Sequence, residues 1–93
     1  MKKWILFIVI AFNVFVTVFA QEQDTTQLHE NAKTFIRQGD YNNAIMILNR
    51  LLQQDASNLE VLKDLAFTHY LKKDYVRALE TAKLFAFQLR RMV

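Results

Sequence analysis

His29 and His69 are the only histidines in this 93-residue chain, which has no cysteine. A zinc site needs imidazole or thiolate groups brought together at short, regular spacing, and neither histidine has such neighbours in the sequence. His69 is read instead as a partly buried helix residue. A nucleophile would require a serine on a strained strand-to-helix turn. A phosphate cradle would require a glycine-rich loop, and Gly39 is the single glycine. The nine acidic residues are scattered. These residues therefore imply no catalytic group, no metal and no cofactor, and the chain is read as a non-enzyme. What remains chemically pointed is two columns at helical spacing. His29, Lys33 and Arg37 recur every four residues, and Lys63, Phe67 and Tyr70 follow by four and three. Cations beside an aromatic pair suit an extended peptide, with carboxylates on the basic column and an apolar side chain against Phe67 and Tyr70. The plainer alternative is a solvated helix face on which Glu30 pairs with a neighbouring cation.

Those columns must be carried by helices, and the chain marks them by repetition. Gly39-Asp40-Tyr41-Asn42-Asn43-Ala44-Ile45 overlays Lys73-Asp74-Tyr75-Val76-Arg77-Ala78-Leu79 at an offset of 34 residues. A period of that length is produced by helix-turn-helix units that stack to bury their apolar sides. The expected fold is all-α, with two stacked helical hairpins over about 25–58 and 59–91. A first helix runs to Gln38 with Leu28, Ala32, Phe35 and Ile36 on one face, and Gly39 stops it. A second starts near Tyr41 and turns Ala44, Ile45, Ile47, Leu48, Leu51 and Leu52 inward. Ser57 and Glu60 form a capping box for a third, whose stripe is Leu59, Leu62, Leu65, Ala66 and Phe67. A fourth spans about Tyr75 to Arg91. No proline interrupts them.

The unit resembles the tetratricopeptide repeat. Gly39-Asp40-Tyr41 matches the turn inside that family's hairpin, Ala44 its small residue, and Asp55-Ala56-Ser57-Asn58 the turn between units. Lys73-Asp74-Tyr75 and Ala78 supply the second copy. Ala56 replaces the usual proline and Lys73 the usual glycine, while Ala32 and Ala66 are the close-packing sites of the first helices. The resemblance implies that Tyr41 and Tyr75 fill the corner of each hairpin. It also implies a binding role, with a peptide or partner protein held on the inner, concave face. His29, Lys33, Arg37, Lys63, Phe67 and Tyr70 would line that face.

The front of the chain is of another kind. Met1-Lys2-Lys3 is a basic head, Trp4 to Phe19 is apolar apart from Asn13 and Thr17, and Val18-Phe19-Ala20 ends in a cleavage-like site. Residues 1–20 read as a secretory signal peptide, followed by a polar linker, 21–27. The alternative is an uncleaved anchor, at the short end for crossing a bilayer. The expected location is exported, periplasmic or secreted, with inner-membrane anchoring as the alternative. Membrane contact is expected only if the front helix stays. The full chain carries 12 basic and 9 acidic residues, and loss of Lys2 and Lys3 leaves the two nearly balanced. Nucleic acid is therefore not an expected partner.

Two repeats and no disulfide make a small core, so the ends call for cover. In the fourth helix Leu79, Ala82, Ala86 and Leu89 form the expected inward stripe. Leu84, Phe85 and Phe87 lie on other sides, rimmed by Arg90 and Arg91, and are the expected self-association patch. Three functional readings follow: an exported adaptor or scaffold that binds protein, a membrane-anchored assembly component of an envelope complex, or the leading part of a larger secreted repeat protein.

Overall fold

The computed structural model describes residues 25–93; the expected signal peptide and the first four residues of the expected linker lie outside the described residues. The described residues form helical hairpins with no strand. Helix α1 covers 25–38, α2 Tyr41–Gln54, α3 Leu59–Leu71 and α4 Tyr75–Met92. Residues 25–27, expected to precede the first helix, are already helical. Connections of two to four residues force sequential helices into antiparallel pairs, and α3 packs against both α2 and α4.

The repeat is exact at the level of hydrogen bonds. After α1 the Gly39 amide donates to the Ile36 carbonyl at 3.1 Å and the Asp40 amide to Phe35 at 2.9 Å. After α3 the Lys73 amide donates to Tyr70 and the Asp74 amide to His69, both at 2.9 Å. Both are Schellman motifs, which demand a left-handed residue at the turn. Gly39 has φ 77° and Lys73 has φ 69°. The second copy thus makes the first copy's turn with a residue whose Cβ opposes it.

The turn between hairpins solves the missing proline differently. The Asp55 carboxylate accepts from the Ser57 amide at 3.2 Å and from the Ser57 hydroxyl at 2.8 Å. Ser57 is consequently spent inside the turn, and the expected capping box does not form. Asn58 caps α3 instead, its Oδ1 accepting from the Val61 amide at 3.2 Å.

The core lies among the first three helices. Ala32, Leu48, Leu51, Val61 and Leu65 form one buried cluster, with Leu28, Ile36, Ile45, Ile47 and Leu52 packed around it. Ala32 and Ala44 have no exposed surface, so α1 and α2 approach closely at those points. Val61, missing from the expected stripe of α3, is buried, whereas Phe67 keeps 53% of its surface exposed. The larger correction concerns α4. Its expected inward residues Leu79, Ala82, Ala86 and Leu89 are all exposed, and the buried residue is Thr81, flanked by half-buried Ala78, Phe85 and Gln88. The hydroxyl of Thr81 satisfies itself on the Arg77 carbonyl at 2.8 Å. Ordinary hairpin packing against α3 fixes the rotation of α4, and the apolar stripe beside that contact has no neighbour among the described residues.

The two turns give a direct test. A Cβ on Gly39 would meet no atom within 4 Å, so Gly39→Ala should cost about 1 kcal/mol from backbone conformation alone. Lys73→Gly should stabilise by about 0.5–1 kcal/mol. Urea melts of both variants at unchanged helicity would show opposite displacements of the midpoint.

Candidate functional site

The columns singled out in the sequence come to lie on adjacent helices. His29 of α1 and Asp64 of α3 are 2.8 Å apart through Nε2 and Oδ2, with both side chains largely buried. This contact pins α1 beside α3. It also engages His29 in structure: its ring faces Asp64 rather than solvent. Lys33, one turn further along α1, lies 3.6 Å from Glu30, and the Arg37 guanidinium donates to the Thr34 hydroxyl at 3.0 Å. Exposed i,i+3 pairs of this kind are worth little and exchange readily for another anion. On α3, Lys63 is exposed, Phe67 is 53% exposed and Tyr70 59% exposed. The α1–α3 face therefore offers three cations and two aromatic rings, with His29 and Asp64 beneath as a brace. Asp64 is the residue the sequence reading missed. Nothing in its spacing marks it, since a helix places it beside Lys63 and only tertiary packing brings it to His29.

At the hairpin corners, Tyr41 is half-buried, while Tyr75 is 59% exposed and meets Tyr70 edge-on with ring centroids 5.8 Å apart. Ala44 is buried and its repeat mate Ala78 half-buried. Of the residues expected to form an association patch on α4, Leu84 and Phe87 are more than half exposed. Phe85 is half-buried, one turn beyond buried Thr81. The Arg91 guanidinium stands 5.8 Å from the centre of the Phe87 ring, a cation–π distance.

On the opposite side, α2 and α4 do not touch, and the gap between them is a groove of about 270 Å³ whose floor includes His69 and Thr81 and whose walls include Leu52, Arg77, Glu80 and Leu84. His69 is 5% exposed, and its Nδ1 is buried without a hydrogen bond. Burial pushes its imidazole below the ordinary value near 6.5; Asp74 opposes this, and Arg77 and Lys72 add to it. The repeat mate of His69 is Phe35, so the second hairpin carries a polar ring where the first carries an apolar one. Among the described residues no group of three or more His, Cys, Asp or Glu converges as a metal site, and no helix is long and apolar enough to cross a membrane.

Identical turn hydrogen bonds at a 34-residue offset, with paired antiparallel helices around small residues, define a helical-repeat protein. A tetratricopeptide repeat model matches residues 35–84, more than half of the chain, and the chain belongs to that family. Neither a curated protein nor a solved structure gave a match. Repeats of this family generally mediate protein–protein interaction and are typically non-catalytic.

His69→Phe removes an unsatisfied buried nitrogen, and the adjoining groove has room for the larger ring; a gain of about 1 kcal/mol is expected. The sign of the pH effect follows from the lowered value. Above 6.5 the neutral ring matches folded and unfolded states alike, and as pH falls from there through the lowered folded value the unfolded chain takes the proton more readily. Denaturation at pH 7.5 and pH 5 should show the wild type losing more stability to acid than His69→Phe.

Proposed function

We propose that this protein is an exported adaptor that holds an acidic, extended segment of a partner protein on its α1–α3 face. One observation carries the reading: Arg37 and Lys63 are exposed and Lys33 half-buried on the two helices that the His29–Asp64 contact joins, and the same α3 carries Phe67 and Tyr70, both more than half exposed. Exposed aromatic rings next to cations held only by weak surface contacts are the composition of a binding surface, and the His29–Asp64 contact holds the two helices that carry them. Carboxylates of the partner replace Glu30 and Thr34 as the ligands of Lys33 and Arg37. An apolar side chain two or three residues along covers Phe67. Self-association through α4 accompanies this role, since that helix keeps Leu79, Leu84, Phe87 and Leu89 about half exposed.

Export rests on the composition of residues 1–20, whose basic head, apolar core and Val18-Phe19-Ala20 ending suit a cleaved signal. Expression of the whole chain in an exporting bacterium, followed by N-terminal sequencing, should return Gln21. Recovery of intact Met1 in the membrane fraction would favour the anchored form.

Peptide selection from a random library should enrich sequences that carry two or more carboxylates near an aromatic or aliphatic residue. Phe67→Ala and Tyr70→Ala should each weaken the selected peptides by about 1–2 kcal/mol, and Arg37→Glu should reverse the preference for acidic residues. Peptides indifferent to all three substitutions would place binding elsewhere.

A further inference from the structure

The residues left bare on α4 are repeat mates of residues that are covered on α2. Leu79, Ala82 and Ala86 stand 34 places after Ile45, Leu48 and Leu52. Leu48 has no exposed surface because Val61 and Leu65 of α3 close over it, whereas Ala82 is exposed. The rear of the second hairpin is therefore shaped to receive a helix, as the rear of the first receives α3.

Helix α1 of another copy is poorly suited to supply that helix. In a head-to-tail stack, α1 of the next copy would take the part α3 plays, and the mates of Val61, Leu65 and Thr68 on α1 are Gln27, Asn31 and Thr34. All three are exposed, and Gln27 is bonded to Asn31 at 3.0 Å. Pressing these amides against Leu79 and Leu89 would bury polar groups without partners. An open filament of copies is disfavoured for the same reason.

The rear seam is, however, complementary to itself. Tyr75, Leu79, Ala82, Ala86 and Leu89 follow one another by four, three, four and three residues, the spacing of a coiled-coil seam. The order Leu-Ala-Ala-Leu reads the same in both directions. Turned about a two-fold axis level with Leu84, each Leu79 meets Leu89 of the other copy and each Ala82 meets Ala86. The small residues at the centre let the backbones approach, and the leucines close the ends. We propose that two copies of this chain pair through α4, antiparallel, along the Leu79–Ala82–Ala86–Leu89 seam. This rests on the reading of α4 as an association surface and specifies the face: the seam, not Leu84 and Phe87. A two-fold contact uses the same patch on both partners and closes on itself, so assembly ends at the dimer and both α1–α3 faces take part in one particle. Lys83 flanks the seam on its solvent side and comes near its own symmetry mate, so added salt tightens the pair rather than loosening it.

The absence of native cysteine makes the register testable on the whole chain. Leu79→Cys and Leu89→Cys copies are mixed and treated with a short thiol crosslinker, beside each variant alone. Under the antiparallel pairing, Leu79 and its own mate are separated by about ten helical residues, about 15 Å, so the mixture crosslinks and the single variants do not. Ala82→Cys with Ala86→Cys should crosslink as well, but each lies only about four helical residues, about 6 Å, from its own mate, so the register is read from the Leu79 and Leu89 variants. Sedimentation then compares Ala82→Glu with Phe87→Glu, both at exposed positions where the monomer's helicity should stay unchanged. A loss of about tenfold or more in dimer affinity for Ala82→Glu, with Phe87→Glu unaffected, is the expected result. Loss with Phe87→Glu alone overturns the seam and leaves association through α4 standing. A monomer at every concentration overturns both, and crosslinking of Leu79→Cys to itself overturns the antiparallel pairing.

Discussion

A helical hairpin buries only what its neighbour covers, and the contact of Leu48 and Leu51 with Val61 and Leu65 is where this chain satisfies that condition. Two helices meeting along one line leave most of each surface wet. The third helix turns the line into a core, because α3 seals one side of α2 while Ala32 lets α1 come close to the same cluster. Everything downstream is weaker for want of the same cover. Helix α4 is the longest of the described helices and buries a single residue, Thr81. In a stack stabilised by nearest-neighbour interfaces, α4 buries little because α3 is the one described helix packed against it.

The two units reach one backbone by different chemistry. The Schellman turns share their hydrogen bonds, yet glycine makes one and lysine the other. Asp55 and Ser57 build the inter-unit turn that a proline would otherwise stiffen. His69 occupies the place of Phe35 and leaves a buried nitrogen unsatisfied. Each departure puts a little strain or an unmet polar group into the second unit, and none of them breaks the register. Backbone hydrogen bonds tolerate such changes because they are made by atoms common to every residue.

The surface divides into regions of distinct character. The α1–α3 face mixes cations with half-bare aromatic rings and is braced from below by His29 and Asp64. The front edge of α1 is polar and satisfied within itself. The rear of α4 is apolar and small at its centre, and the flank carrying Phe87 is shaded by Arg91. The described residues are thus polar along the outer edge of α1 and apolar along the seam of α4, a chemical direction along the stack that follows the direction of the chain.

The boundaries of α2, α3 and α4, the 34-residue register and the left-handed turn at Gly39 were legible from the residues alone, because they depend on local hydrogen bonding and on spacing. The stripe of α2 was legible too, since Leu48 and Leu51 are apolar and are covered. The same reasoning misassigned α4: Leu79, Ala82, Ala86 and Leu89 have the pattern of an inward face and point away from α3. Periodicity reports which face is apolar and is silent on whether anything lies against it. The partnership of His29 with Asp64 and the burial of Val61 likewise belong to the tertiary structure. Each is decided by which helix stands opposite, and a sequence specifies that only through the packed whole.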